Sequence, residues 1–154
     1  MFFSALLAST TLTYVLFSTH QEMLKNTSIS QIVAEHHYAL FAINMSIVAV
    51  LEIYFLVESY TLDRSMLFGI LSYLSLFFLS IYSQKTNTTI HEFFSCTYFT
   101  CMSLYILYKA ENTVLVFSLI FYTLGYLYMY INSTHYRVYV EYLVIIAQIV
   151  FLEI

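Results

Sequence analysis

Residues 38–57 read YALFAINMSIVAVLEIYFLV, a run with one ionisable side chain, Glu52. At 1.5 Å of rise per residue, a helix of this length spans about 30 Å, the thickness of a bilayer's hydrocarbon core. Outward from this run, comparable apolar stretches recur at about 2–18, 66–82, 93–109, 113–131 and 138–154. Together they predict an all-α fold, a polytopic transmembrane bundle of about six spans with short connections. Residues 1–154 then form a single integral-membrane domain. Most of the runs are at the short end of the membrane-spanning range, which suits a thin bilayer such as that of the endoplasmic reticulum.

Composition points the same way. Of 154 residues, 61% are hydrophobic and 9% charged, against about 25% charged in ordinary globular domains. A net charge of −4 without a Lys/Arg cluster argues against nucleic-acid partners and against a polybasic lipid-binding patch. The chain has no Pro and only Gly69 and Gly125, so no span is expected to be broken like the discontinuous helices of transporters. Trp is absent and Tyr numbers 16. Tyr82, Tyr108, Tyr130 and Tyr139, near the proposed span ends, are therefore expected to form the interfacial belt. The first run lacks a basic flank and is interrupted by Ser4, Ser9, Thr10 and Thr11. It reads as a retained span and not as a signal peptide.

All five histidines fall in odd-numbered breaks between the runs: His20, His36 and His37 in the first, His91 in the third, His135 in the fifth. If the runs cross a membrane in turn, every imidazole meets one face. The odd breaks also hold most of the loop residues, which favours such sorting. The triplets Asn26-Thr27-Ser28, Asn87-Thr88-Thr89 and Asn132-Ser133-Thr134 share these breaks and favour placing that face outside the cytosol. Basic residues do not decide the orientation.

The densest constellation is Thr88-Thr89-Ile90-His91-Glu92 at the start of the fourth run. Thr89 and Glu92 have capping-box spacing. A neutral His91 at the interface is a candidate general base, with the alternative of an interfacial histidine bonded to water or a headgroup. Ser95 lies one turn further on the same face, although a mid-helix Ser usually bonds its own i−4 carbonyl. His37 and Asn44, seven apart, share a helix face, whereas His36 is expected in a solvated loop. His135, Arg137 and Glu141 open the sixth run. Arg137 and Glu141 can pair at i, i+4, and Glu141 is also positioned to face the bundle interior. The candidate catalytic set is His91, Glu141, His135 and His37. These side chains lack HxxxH or HxxE spacing, so no metal site and no cofactor are expected.

Glu52, inside the second span, is expected to pair with Arg64 or Lys109, and Asp63 to cap the third span. Cys96 and Cys101 point apart on one helix and read as small packing residues. Gly69, Ser72, Ser75, Thr97 and Cys101 read as surfaces for close helix contact.

The stretch from Leu74 to Tyr108, with Tyr82-Ser83, a short polar break and Thr89-Ile90-His91-Glu92, resembles the Frag/DRAM/Sfk family of six-span membrane proteins. It is closest to the post-GPI-attachment lipid-remodelling branch. Val138-Tyr139-Val140-Glu141-Tyr142 is similar to the Glu-Tyr region of that family's last span, and Ser28-Ile29-Ser30 to a Ser-containing segment of its first lumenal loop. The absence of Pro, the lack of a basic residue in the second span and a very short fourth connection depart from the branch.

The resemblance implies a Golgi or endoplasmic reticulum protein involved in lyso-GPI reacylation or its support. Membrane lipids, a GPI lipid among them, and other membrane proteins would be its partners. Other branches imply lysosomal or plasma-membrane lipid regulators. Two further readings stand beside it: a non-catalytic membrane scaffold or lipid-regulating adaptor, and a small hydrophobic subunit of a respiratory or ATP-synthase complex in the mitochondrial inner membrane.

Overall fold

A computed structural model describes residues 2–19, 29–58 and 64–109, together with Tyr142 and Ile145. The proposed spans 113–131 and 138–154 fall outside these residues, apart from Tyr142 and Ile145, as do His20, Asp63, His135, Arg137 and Glu141. All regular structure among the described residues is helical. Helix α1 is Phe2–Ser18, α2 is Ile29–Glu58, α3 is Arg64–Ile81 and α4 is Thr88–Lys109. Of these, α2 is long and apolar enough to cross a membrane. Phe3–Ser18 and Ser65–Ile81 are shorter apolar helices.

The helices begin earlier than hydropathy suggests at two places. In α2 the apolar segment Tyr38–Glu58 is preceded by one α-turn, Ile29–Ile32, and by a π-helical turn, Val33–His37. Glu35 and His36 are consequently helical and exposed, with His36 Nε2 3.7 Å from Glu35 Oε2. In α4 the start is Thr88 and not residue 93. Asn87 is the cap: its Oδ1 accepts from Ile90 N at 3.1 Å and its carbonyl from His91 N at 3.0 Å, the geometry of an N-cap side chain on the third helical amide. The expected Thr89–Glu92 box is displaced by this arrangement. With Asn87 as cap, Glu92 lies beyond the first turn and its carboxylate is available for other contacts.

Packing runs in chain order, α1 on α2, α2 on α3, and α3 on α4. The α1–α2 seam is polar and regular. Ser18 Oγ lies 3.0 Å from His37 Nε2, Asn44 Nδ2 donates to Thr11 Oγ1 at 2.9 Å, and Ser4 Oγ donates to the Glu52 carboxylate. Each step of seven or eight residues up α2 is matched by seven back down α1, which is antiparallel packing with a near-heptad seam. The expected common face of His37 and Asn44 is this seam. Thr13 Oγ1 adds a 2.9 Å bond to Tyr142 Oη. Four contacts of this kind dock α1 as part of the bundle.

Two apolar clusters share Leu76. One joins Leu12, Val15, Ile32 and Val48, and the other joins Leu56, Tyr73, Met102 and Tyr105. A Cβ added at Gly69 would stand 2.9 Å from Leu56 Cδ1 and 3.2 Å from the Tyr105 ring, so side chains of α2 and α4 close on α3 at a residue without a side chain. Ser46 and Ser80 bond at 2.6 Å between α2 and α3, and Ser72 Oγ donates to Tyr98 O at 3.3 Å between α3 and α4.

Beside the apolar core, the described helices bury polar side chains and expose large apolar ones. Ser72 is 0% and Glu52 6% exposed, whereas Phe17 is 82% and Ile43 61% exposed. Leu40, Ile43, Ile47, Val50, Tyr54 and Val57 form an outward apolar stripe along α2 at steps of three and four residues.

Candidate functional site

The turn from α3 to α4 is short and closed on itself. Ser83 accepts through its carbonyl from the amides of Thr86 and Asn87, each at 3.1 Å, and Thr86 N also donates to Ser83 Oγ at 3.2 Å. This turn brings the first turn of α4 beside the last carbonyls of α3. Such terminal carbonyls have no partner within their own helix. Here side chains supply it: His91 Nδ1 lies 2.8 Å from Tyr82 O, and Tyr38 Oη donates to Ile81 O at 2.5 Å.

The carbonyl can only accept, so Nδ1 of His91 carries the proton. In the neutral imidazole that leaves a lone pair on Nε2. His91 is buried at 9% exposure, and its ring is held by a backbone group that no rotamer change of a neighbour can move. This fixes the tautomer a general base requires.

His91 lines a cavity of about 180 Å³. The walls come from four parts of the chain: the start of α2 (Ser30, Tyr38), the end of α3 and its turn (Leu79, Gln84), the first turns of α4 (His91, Ser95) and Ile145. Most of the wall is apolar or aromatic. The polar groups gather where the turn meets α4, with Glu92 among them. Gln84 Oε1 is withdrawn from solvent and has no hydrogen-bond partner among the described residues. The hydroxyls of Thr97, Ser103 and Ser75 turn back to carbonyls of their own helices. Among the described residues, Ser95 makes no such bond.

His37 is placed elsewhere. Its Nε2 meets Ser18, and its ring packs edge-on against Tyr14 with centroids 5.6 Å apart, so it belongs to the α1–α2 seam and does not line the His91 cavity. His135 and Glu141 lie outside the described residues; close to Glu141 in the chain, Tyr142 reaches α1 and Ile145 reaches the cavity. No group of three His, Cys, Asp or Glu side chains able to hold a metal ion occurs among the described residues.

Sequence reasoning did not find Gln84, Tyr38 or Tyr98 as parts of this cavity. The turn geometry brings in Gln84 and the helical start of α2 brings in Tyr38, and no local spacing reports either. Tyr98, seven residues after His91 on α4, shares its face and was within reach of the sequence. Tyr98 also connects the cavity wall to the polar centre of the bundle. There the Tyr73 hydroxyl hydrogen-bonds Glu52 beside Tyr98, and Ser4 bonds the same carboxylate. Lys109, one expected partner of Glu52, forms no ion pair among the described residues.

On the other side of the same hairpin, Phe78 stacks on Phe94 with centroids 4.8 Å apart, and Tyr82 on Phe94 at 6.4 Å. With Ile90 and Phe93 these rings line an open outward groove. No family model, curated protein or solved structure matches the chain.

Proposed function

We propose that this chain is a multi-span membrane protein of the secretory pathway that takes part in GPI-anchor lipid remodelling, the reacylation of lyso-GPI or its support. In this reading the described helices and the two remaining apolar runs cross the bilayer as a six-span bundle. The His91 cavity opens at the lumenal end, where the headgroup region of a lipid lies. The observation that carries the proposal is the fixed imidazole: His91 Nδ1 is committed to the Tyr82 carbonyl, and Nε2 is left as the acceptor in a largely apolar pocket. A positioned base next to an accepting hydroxyl is what acyl transfer to a lysolipid requires. The outward apolar stripe of α2 and the inward polar seam support the membrane setting, since a bilayer favours polar side chains turned toward the bundle. The resemblance of Thr89-Ile90-His91-Glu92 and its flanks supplies the lipid class.

A non-catalytic role in the same process is favoured by one feature. Among the described lining residues there is no Lys or Arg, so an oxyanion would depend on weaker neutral donors such as Ser95 and the Gln84 amide. The two roles separate in cells lacking their own remodelling factor, with the anchor lipids read by mass spectrometry. The intact chain is expected to restore saturated diacyl-type anchors. Loss of that restoration in His91→Asn, whose amide can still donate to Tyr82 O, at equal expression and melting temperature assigns the imidazole to the reaction, whereas restoration by His91→Asn assigns the chain to support. No change of anchor lipids with well-expressed, correctly targeted intact chain would refute GPI remodelling.

A further inference from the structure

We infer that the polar end of the His91 cavity receives the primary ammonium of a lipid headgroup, of the ethanolamine kind, and not a phosphate. This rests on the lipid-cavity reading above and specifies what the cavity holds.

Three of the polar groups there offer acceptors, beside the hydroxyls of Ser83 and Ser95. Gln84 offers Oε1, withdrawn from solvent and without a protein donor among the described residues. His91 offers the Nε2 lone pair, because Nδ1 donates to Tyr82 O. Glu92 offers a carboxylate, which the Asn87 cap leaves free of helix-capping duty. None of the described lining residues is Lys or Arg, and exposed Lys85, adjacent to Gln84 in the chain, is not among them. A phosphate would place acceptor against acceptor beside a carboxylate, with no cation to offset the repulsion.

A primary ammonium has the complementary character. It carries three donors and a positive charge, which suits an amide oxygen, an imidazole lone pair and a carboxylate together. A withdrawn carbonyl without a donor is destabilising, and a ligand N–H removes that cost. The rest of the wall is consistent with the same group. Tyr38, Phe41, Tyr98 and Phe99 line the cavity, and aromatic faces attract cations. A quaternary ammonium would keep the charge and lose every donor, so the cavity discriminates between ethanolamine and choline headgroups. The aliphatic residues Val33, Leu76 and Ile145 in the wall indicate that the ammonium arrives on an amphiphile and not as a free amine.

The test uses the full chain in nanodiscs and three photoreactive lysolipids with one diazirine-bearing acyl chain. Their headgroups are phosphoethanolamine, phosphocholine and phosphoglycerol, and the labelled residues are mapped by mass spectrometry. The ethanolamine probe is expected to label the cavity wall at least about ten-fold more strongly than the other two. Unlabelled lyso-phosphatidylethanolamine is expected to compete, and free ethanolamine at the same concentration not to. Gln84→Met keeps the side-chain size and breaks no protein hydrogen bond of Oε1. It is expected to reduce ethanolamine labelling toward the choline level without lowering the melting temperature, and Glu92→Gln to weaken it several-fold. Equal labelling by the three headgroups, or preference for phosphoglycerol, overturns the ammonium assignment while the lipid cavity stands. Competition by free ethanolamine as effective as by the lysolipid overturns the lipid source. Absence of cavity labelling by every probe removes the lipid-cavity reading itself, and this inference with it.

Discussion

At the scale of single residues, His91 has two roles that substitution can separate. It satisfies the end of α3 through Tyr82 O, and it presents Nε2 to the cavity. His91→Ala leaves a carbonyl without its partner, which costs about 1–3 kcal/mol. A lower melting temperature of the purified chain in detergent checks that loss. Glu52 offers a second residue-scale prediction. Ser4 and Tyr73 both direct hydroxyls to its carboxylate, and a glutamine carbonyl can accept the same bonds. Glu52→Gln is therefore expected to unfold close to the parent chain, and Glu52→Leu well below it. In a Ser4→Ala/Glu52→Leu double-mutant cycle, where both single changes remove the bond, a coupling of about 0.6 kcal/mol is the magnitude such bonds reach in membrane proteins. Absence of any difference between Glu52→Gln and Glu52→Leu would show that the hydroxyl contacts carry no stability.

At the scale of the helices, the α1–α2 seam was partly legible in the sequence. Seven residues separate His37 from Asn44, which places both on one face, and the face proves to be the one against α1. Its register could not be read, because it depends on Thr11 and Ser18, two of many hydroxyl residues in α1. The register is testable by disulfide trapping in a background where Cys96 and Cys101 are replaced by Ser. Thr11→Cys with Asn44→Cys is expected to cross-link on mild oxidation. Thr10→Cys with Asn44→Cys is expected not to, since Thr10 turns outward and bonds Leu6 O on its own helix. Gly69 was legible as a site of close helix contact, and the space there is now specific. Gly69→Ala relieves about 1 kcal/mol of helix penalty while pressing on Leu56 Cδ1, so a small net change is expected. Gly69→Val meets Leu56 and the Tyr105 ring together, and a loss of about 1–3 kcal/mol in thermal or denaturant unfolding is expected from overpacking.

The helix starts were the least legible feature at this scale. Hydropathy excludes Thr88, Thr89, His91 and Glu92 from a span, yet the Asn87 cap begins the helix before them. The same holds for Ile29–His37, where Ser30, Gln31, Glu35 and two histidines suggest a loop and the backbone is helical with a π-turn. Both early starts build the cavity. That is why the candidate base could be named from the sequence, while most of its surroundings could not.

At the scale of the whole molecule, the described helices bury Ser72, Ser80 and Glu52 beside an apolar core and leave large apolar side chains such as Phe17 and Ile43 on the surface. Apolar surroundings favour such an arrangement. The sequence made that visible through its low charge and repeated apolar runs. Lipid contact along α2 is the claim from which the cavity's location and its ligand class both follow. It is tested most directly by spin-labelling Ile43, Ile47, Val50, Tyr54 and Val57 one at a time in reconstituted bilayers. The readout is collision with oxygen against collision with a water-soluble nickel chelate. Preference for oxygen at all five positions, greatest near the middle of the stripe, is the expected result, and free collision of the chelate with the central positions Ile47 and Val50 would contradict it.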